Sequence, residues 1–146
     1  MRILIGVDNS TYSQDAAESI ARRCWGPGTE VKIVSVVDRH FEHDFGEAGH
    51  SENYYNTARQ AIERAIAVLR SSQNQFELLG DIIEGSPKQV LVEEAEAWNA
   101  DMIVVGSHGR RGLDRFLLGS VSQAVALHAR CSVEIVRTPV KSAVKN

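Results

Sequence analysis

Five short apolar runs, separated by segments of helical periodicity, restrict this 146-residue chain to one fold class. The runs are Ile3 to Val7, Val31 to Val37, Phe76 to Ile83, Met102 to Val105 and Ser132 to Arg137. Strands that alternate with helices form a parallel sheet, because each return to the start of a parallel neighbour needs a crossover. Right-handed crossovers then place helices on both faces. The first, second and fourth runs are the most continuously apolar, as strands buried on both faces must be. The third and fifth carry Glu77, Asp81 and Glu134, which suits edges. The pattern predicts an α/β fold: a single open, doubly wound, five-stranded parallel sheet whose order 3-2-1-4-5 fits this distribution. In that order the winding reverses between strands one and four, and ligands bind in the crevice at their carboxyl ends. Those ends are Asp8 and Gly106.

The connecting segments carry their own punctuation. Asn9-Ser10-Thr11 supplies helix-start residues, and Ala16, Ala17, Ile20, Ala21 and Cys24 recur at helical spacing to about Trp25. Gly26-Pro27-Gly28 stops that helix. Tyr55, Ala58, Ile62, Ala65, Ile66 and Leu69 form the apolar stripe of a long helix from about Ser51 to Ser72. Ser86, Pro87 and Gln89 fit the N-cap, first-turn and capping-box positions of a third helix, with Leu91, Ala95 and Trp98 as its buried stripe. Gly80 reads as an interruption of the third strand. With no internal repeat or linker, residues 1–146 are expected to form one domain, with 140–146 as a frayed tail. Cys24 and Cys131 make no metal spacing and read as small core residues in a protein with free thiols.

The stretch from Asp101 to Ser122 carries the chemistry. After the buried strand come Gly106, Gly109 and Gly112, with arginines at 110, 111 and 115, and then Gly119-Ser120 opens a helix from Val121 to Ala129. Glycines let backbone N–H groups approach a phosphate, and the first turn of a helix presents further unpaired donors. Neither a P-loop nor a dinucleotide fingerprint is present, since no Gly-Lys-Ser/Thr occurs and no G-x-G-x-x-G follows the first strand. The spacing Gly106-x2-Gly109-x9-Gly119-Ser120 instead resembles the ATP-binding signature of the universal stress protein family. The resemblance runs from Ile3-Leu-Ile-Gly-Val-Asp8 to Val133-Glu-Ile-Val-Arg137 and implies the same strand order. Two positions depart from the family's usual pattern. Asn9-Ser10 stands where many members have Gly-Ser, and Cys131-Ser132-Val133 where many have Cys-Pro-Val.

A nucleotide site can be laid out along these residues. Asp8 suits the hydroxyls of a ribose or the amino edge of adenine, and the resemblance implies a nucleoside contact for it. Asp8 also fits a simple helix-start role. Val7, Val37 and Val105 end three strands and offer an apolar slot for a purine. Gly106 and Gly109 would let the chain pass close to ribose and phosphates, with His108 between them. Gly119, Ser120, Val121 and Ser122 would give N–H donors and hydroxyls, Ser120 doubling as N-cap. Arg110, Arg111 and Arg115 are weaker candidates for neutralising a triphosphate, because loop arginines are usually solvated. Residues 38–52 read as a polar loop placed to act as a lid, and His40 and His43 in it lack a helical metal-ligand spacing.

Bulk properties narrow the function classes. A net charge of −3 gives no footprint for general nucleic-acid binding. No apolar run is long enough to cross a bilayer, and the N-terminus reads as a strand rather than a secretory signal, so a cytoplasmic protein is expected. The best reading is an ATP-binding stress-response or signalling protein, with Mg²⁺ or Mn²⁺ as companion ion, whose conformation or partner binding is biased by adenine nucleotide. The alternatives are a slow ATPase or phosphoryl-transfer enzyme, for which no base stands out, and a nucleotide-independent interaction module. Family resemblance also implies a homodimer through the edge strand 132–137, whose Val133, Ile135 and Val136 leave only Glu134 and Arg137 as protection.

Overall fold

Parallel pairing joins every neighbouring strand in the computed structural model, which describes residues 1–38, 51–109 and 117–138. The elements in order are β1 (Arg2–Gly6), α1 (Thr11–Ala21), β2 (Glu30–Val37), α2 (Ser51–Arg70) and β3 (Glu77–Glu84), followed by α3 (Pro87–Ala97), β4 (Met102–Gly106), α4 (Ser120–His128) and β5 (Ser132–Val136). The sheet order is β3-β2-β1-β4-β5, as the apolar pattern predicts. None of the described helices is long and apolar enough to cross a membrane.

The two-residue period of a strand sorts the core into two layers. Ile3 and Ile5 of β1, and Val7 just past it, pack with Ala16, Ala17 and Ile20 of α1 and with Ala61, Ala65 and Leu69 of α2. From the same strand, Leu4 turns the other way, to Leu91 and Ala95 of α3 and Val125 of α4. Two helices therefore cover each face, because α1 and α2 wind outward from β1 toward β3 while α3 and α4 wind toward β5. Gly80 does not interrupt β3. It pairs with Ile33, and a Cβ there would sit 2.9 Å from the Ile62 side chain, so glycine makes room for α2.

Several boundaries differ from expectation for local reasons. Helix α1 ends at Ala21 rather than near Trp25, because the Trp25 indole N–H turns back to the Ile20 carbonyl at 2.8 Å. Asn74 holds that turn, accepting from the Trp25 backbone N–H at 3.1 Å and donating to the Arg23 carbonyl at 2.8 Å. Cys24 falls in the same turn and is exposed, so it is not a core residue. Cys131 is half-buried against the second core layer, and burial pushes its thiol pKa up. At α3, Ser86 is the N-cap and Pro87 opens the helix, but no capping box forms. The Gln89 amide instead donates to Glu93 one turn on, at 2.7 Å. Gly119, not Ser120, is the N-cap of α4, and Ser120 is its exposed first residue. The expected tail at 140–146 lies outside the described residues.

At the carboxyl end of β4, α1 comes unusually close. A Cβ on Gly106 would lie 2.7 Å from the Tyr12 carbonyl oxygen and 2.8 Å from its carbonyl carbon. Backbone atoms cannot swing aside as a side chain can. Gly106→Ala is therefore expected to lower stability to urea by about 1–3 kcal/mol, the usual cost of overpacking. A variant as stable as the parent would mean that α1 shifts freely over β4.

Candidate functional site

The crevice begins where β1 stops. The Val7 N–H bonds the Val34 carbonyl at 2.9 Å, and the chain then turns at Asp8 into α1. Asp8 Oδ1 accepts from the Ser10 N–H and from the Ser13 hydroxyl, each at 2.9 Å. The Asp8 N–H donates back to Ser13 Oγ at 2.8 Å, and Ser10 Oγ caps the helix through the Ser13 N–H at 3.4 Å. One carboxylate oxygen thus performs the helix-start role and fixes the side chain. The other oxygen, Oδ2, faces the glycine stretch across the sheet, 3.1 Å from where a Cβ on Gly109 would stand. Both roles weighed for Asp8 are open to it at once, one at each oxygen.

The other wall is built from the end of β4 and the start of α4. The Ser107 N–H bonds the Val136 carbonyl at 2.8 Å, continuing the β4–β5 ladder past Gly106. The Ser107 carbonyl accepts from the Gly119 N–H at 2.7 Å, and the buried Ser122 hydroxyl lies 3.1 Å from it. A Cβ on Gly119 would come within 3.1 Å of both the Ser107 oxygen and the His108 Cα. All three signature glycines therefore have a packing reason: 106 admits α1, 109 admits the Asp8 carboxylate, and 119 admits the strand end. The first intrahelical bond of α4 runs from the Gln123 N–H to the Gly119 carbonyl at 3.0 Å. Ahead of it, the N–H groups of Ser120, Val121 and Ser122 are those a helix start leaves open to an anion.

Some candidates are not brought together as expected. Val7, Val37 and Val105 are all buried at strand ends. Val7, however, packs in the α1/α2 layer and Val105 in the α3/α4 layer, so these side chains do not line one slot. Ser122 is buried, with its hydroxyl between the Ser107 and Gly119 carbonyls, so it braces the helix start. Ser120 stays exposed. Arg110, Arg111 and Arg115, and residues 39–50 of the expected lid, lie outside the described residues.

Other residues join the site without having been singled out for it. Between α1 and α2, a cleft floored by Val7, Ala17, Ala61 and Ala65 is rimmed by Asp8, Ser10, Ser13 and Arg64. Arg64 donates to the Asn9 side-chain oxygen at 2.7 Å, so α2 reaches over the turn that carries Asp8. The only sequence signal for Ser13 was its place three residues after a helix-start serine. Arg64 sits on the polar face of α2 and gave none.

The family model that matches this chain is that of the universal stress protein family, over residues 1–137. Universal stress protein MJ0531 of Methanocaldococcus jannaschii is 30% identical over 142 residues, covering 96% of this chain and 84% of the relative. The solved structure of hypothetical protein MJ0577 has a TM-score of 0.82 at 26% identity, covering 95% of this chain and 96% of that one. A universal stress protein solved in complex with cAMP has a TM-score of 0.64 at 26% identity, covering 93% and 95% respectively. The chain belongs to the universal stress protein family.

Proposed function

We propose that this chain is an ATP-binding stress-response or signalling protein, acting from the cytoplasm as a single domain over residues 1–146. Adenine nucleotide in the crevice between β1 and β4 would bias its conformation or its partner binding. The observation that carries this reading is the meeting of two opposite chemistries at one switch point. A carboxylate oriented by Ser10 and Ser13 lies beside Gly109, and the open N–H groups of α4 follow Gly119. The first suits the adenosine half of a nucleotide and the second its phosphates, with Mg²⁺ or Mn²⁺ as the companion ion for a triphosphate. A relative solved in complex with cAMP supports an adenine nucleotide as the class of ligand.

ATP that binds only the folded state stabilises it by about 2.7 kcal/mol at a free concentration of 100 times its dissociation constant. A melting temperature raised by a few degrees is the expected readout. AMP should raise it less, and Asp8→Ala should weaken both nucleotides together, because the adenosine half is common to them. A protein with no thermal shift and no calorimetric heat at millimolar Mg-ATP would move the reading to a nucleotide-independent interaction module.

Turnover should be slow. Steady-state phosphate release with Mg²⁺ or Mn²⁺ is expected far below the enzyme median of about 10 per second. Release at several per second, lost on Ser120→Ala, would make the protein an ATPase instead.

The homodimer is proposed through β5, with one physical revision. Side chains of a strand point above and below the sheet rather than out of its edge. Val133 and Ile135 accordingly pack in the α3/α4 layer, while Glu134 turns to α1 and pairs with Arg23 at 2.7 Å. What the edge offers a second copy is backbone. The Val136 carbonyl points to β4, so by alternation the N–H and carbonyl groups of Val133 and Ile135 point outward. Light scattering at about ten times a micromolar dissociation constant should find a dimer. Val133→Pro removes one outward N–H at an edge that tolerates proline, and should give a folded monomer. A monomeric parent protein would end the proposal.

A further inference from the structure

We propose that His108 is a positioning residue, setting the gap between the two walls of the nucleotide crevice without touching the ligand. This rests on the nucleotide reading above and assigns a distinct role within that site. His108 is 9% exposed, and both of its ring nitrogens are engaged inside the protein. Nδ1 lies 3.0 Å from Ser107 Oγ, and Nε2 meets the Leu117 carbonyl oxygen. A carbonyl only accepts, so Nε2 carries the proton, and in the neutral ring Nδ1 accepts from the Ser107 hydroxyl. The Tyr12 ring packs against the imidazole, with centroids 5.1 Å apart and planes tilted by 48°. Neither nitrogen is left over for a phosphate or a ribose.

The consequence lies in what the Leu117 bond joins. His108 stands two residues past β4, and Leu117 three residues before α4. The helix itself is already tied to the strand end, by Gly119 N–H to the Ser107 carbonyl. Leu117 itself is not held by burial, being 61% exposed. The imidazole supplies that anchor from the strand side. It fixes how the segment enters α4, and so the direction in which the open N–H groups of Ser120 and Val121 face the crevice. Binding of the phosphates beyond the first should depend on this, and binding of adenosine at the Asp8 wall should not.

Isothermal titration of ATP and AMP into the parent protein, His108→Phe and His108→Gln tests the proposal. Phe keeps a ring against Tyr12 and loses both hydrogen bonds, whereas Gln restores an amide donor. His108→Phe is expected to weaken ATP about tenfold and AMP by no more than about twofold, as the loss of one net hydrogen bond implies. His108→Gln should recover most of the ATP affinity. Long-range ¹⁵N correlation spectra of the nucleotide-free protein should show His108 as the Nε2–H tautomer, a readout that stands whether or not a variant folds. A folded His108→Phe that binds ATP like the parent, or that loses ATP and AMP alike, overturns the proposal. An Nδ1–H tautomer overturns it too. A parent protein with the Nε2–H tautomer that binds neither nucleotide instead removes the nucleotide reading, and the role in binding with it.

Discussion

Burial of both faces of β1 is the constraint on which the rest of the structure depends. A strand whose Ile3 and Ile5 point one way and whose Leu4 points the other needs a helical layer on each side. Two layers require the chain to wind outward from β1 in both directions. That reversal sends the chain leaving β1 to one face, into α1, and the chain leaving β4 to the other, into α4, so a crevice opens between them at the carboxyl ends. The site is therefore a by-product of how the core is closed, and its walls are the first residues past two buried strands.

Those residues are confined by the same packing. Past β1, Asp8 must satisfy the start of α1, and it does so with Oδ1 through Ser10 and Ser13. Past β4, the Ser107 carbonyl must find donors, and it takes them from Gly119 and Ser122. Atoms of Tyr12, Asp8, Ser107 and His108 approach the signature glycines closely enough that any Cβ would meet them within 3.1 Å. The glycine spacing reflects the joining of strand to helix as much as the approach of a ligand. This is why a Cβ at 119 is a poor probe of phosphate binding: it would disturb the strand end first.

The fold was legible in the sequence because its determinants are local and periodic. Apolar runs identified the central strands, Glu77, Asp81 and Glu134 marked the edges, and the order that fits both, which the family resemblance also implies, is the one observed. The elements' ends were less legible where one side chain decides them. Trp25 folds back on Ile20, and Gln89 finds Glu93 instead of the helix start. At the site, residue types could be read but roles could not. Nothing local to Ser-His-Gly says that the imidazole spans to a carbonyl nine residues on, or that Ser122 turns inward while Ser120 faces out. Likewise Val7 and Val105 share a sheet end yet lie in opposite layers, a matter of strand register that no single run reveals.

Those roles also bear on why binding fits this site better than fast turnover. Phosphoryl transfer to water needs a group free to orient the nucleophile or take its proton. The titratable side chains described here are largely committed. Asp8 Oδ1 accepts two hydrogen bonds from the helix start, and His108 has a partner on each nitrogen. Recruiting His108 as a base would break contacts that shape the crevice, and Asp8 has only Oδ2 outside them. A crevice whose ionisable groups serve as its own struts is suited to hold a nucleotide. Under the proposed reading, occupancy would be felt by α1 and α4, because Asp8 and Ser107 belong to the contacts that seat those helices. Helix α1 also runs toward the far edge of the sheet, where its Ser19, with Arg23 just past its end, bonds Glu134 of β5. A change at the Asp8 end of this helix is thus mechanically connected to the strand proposed to pair with a second copy.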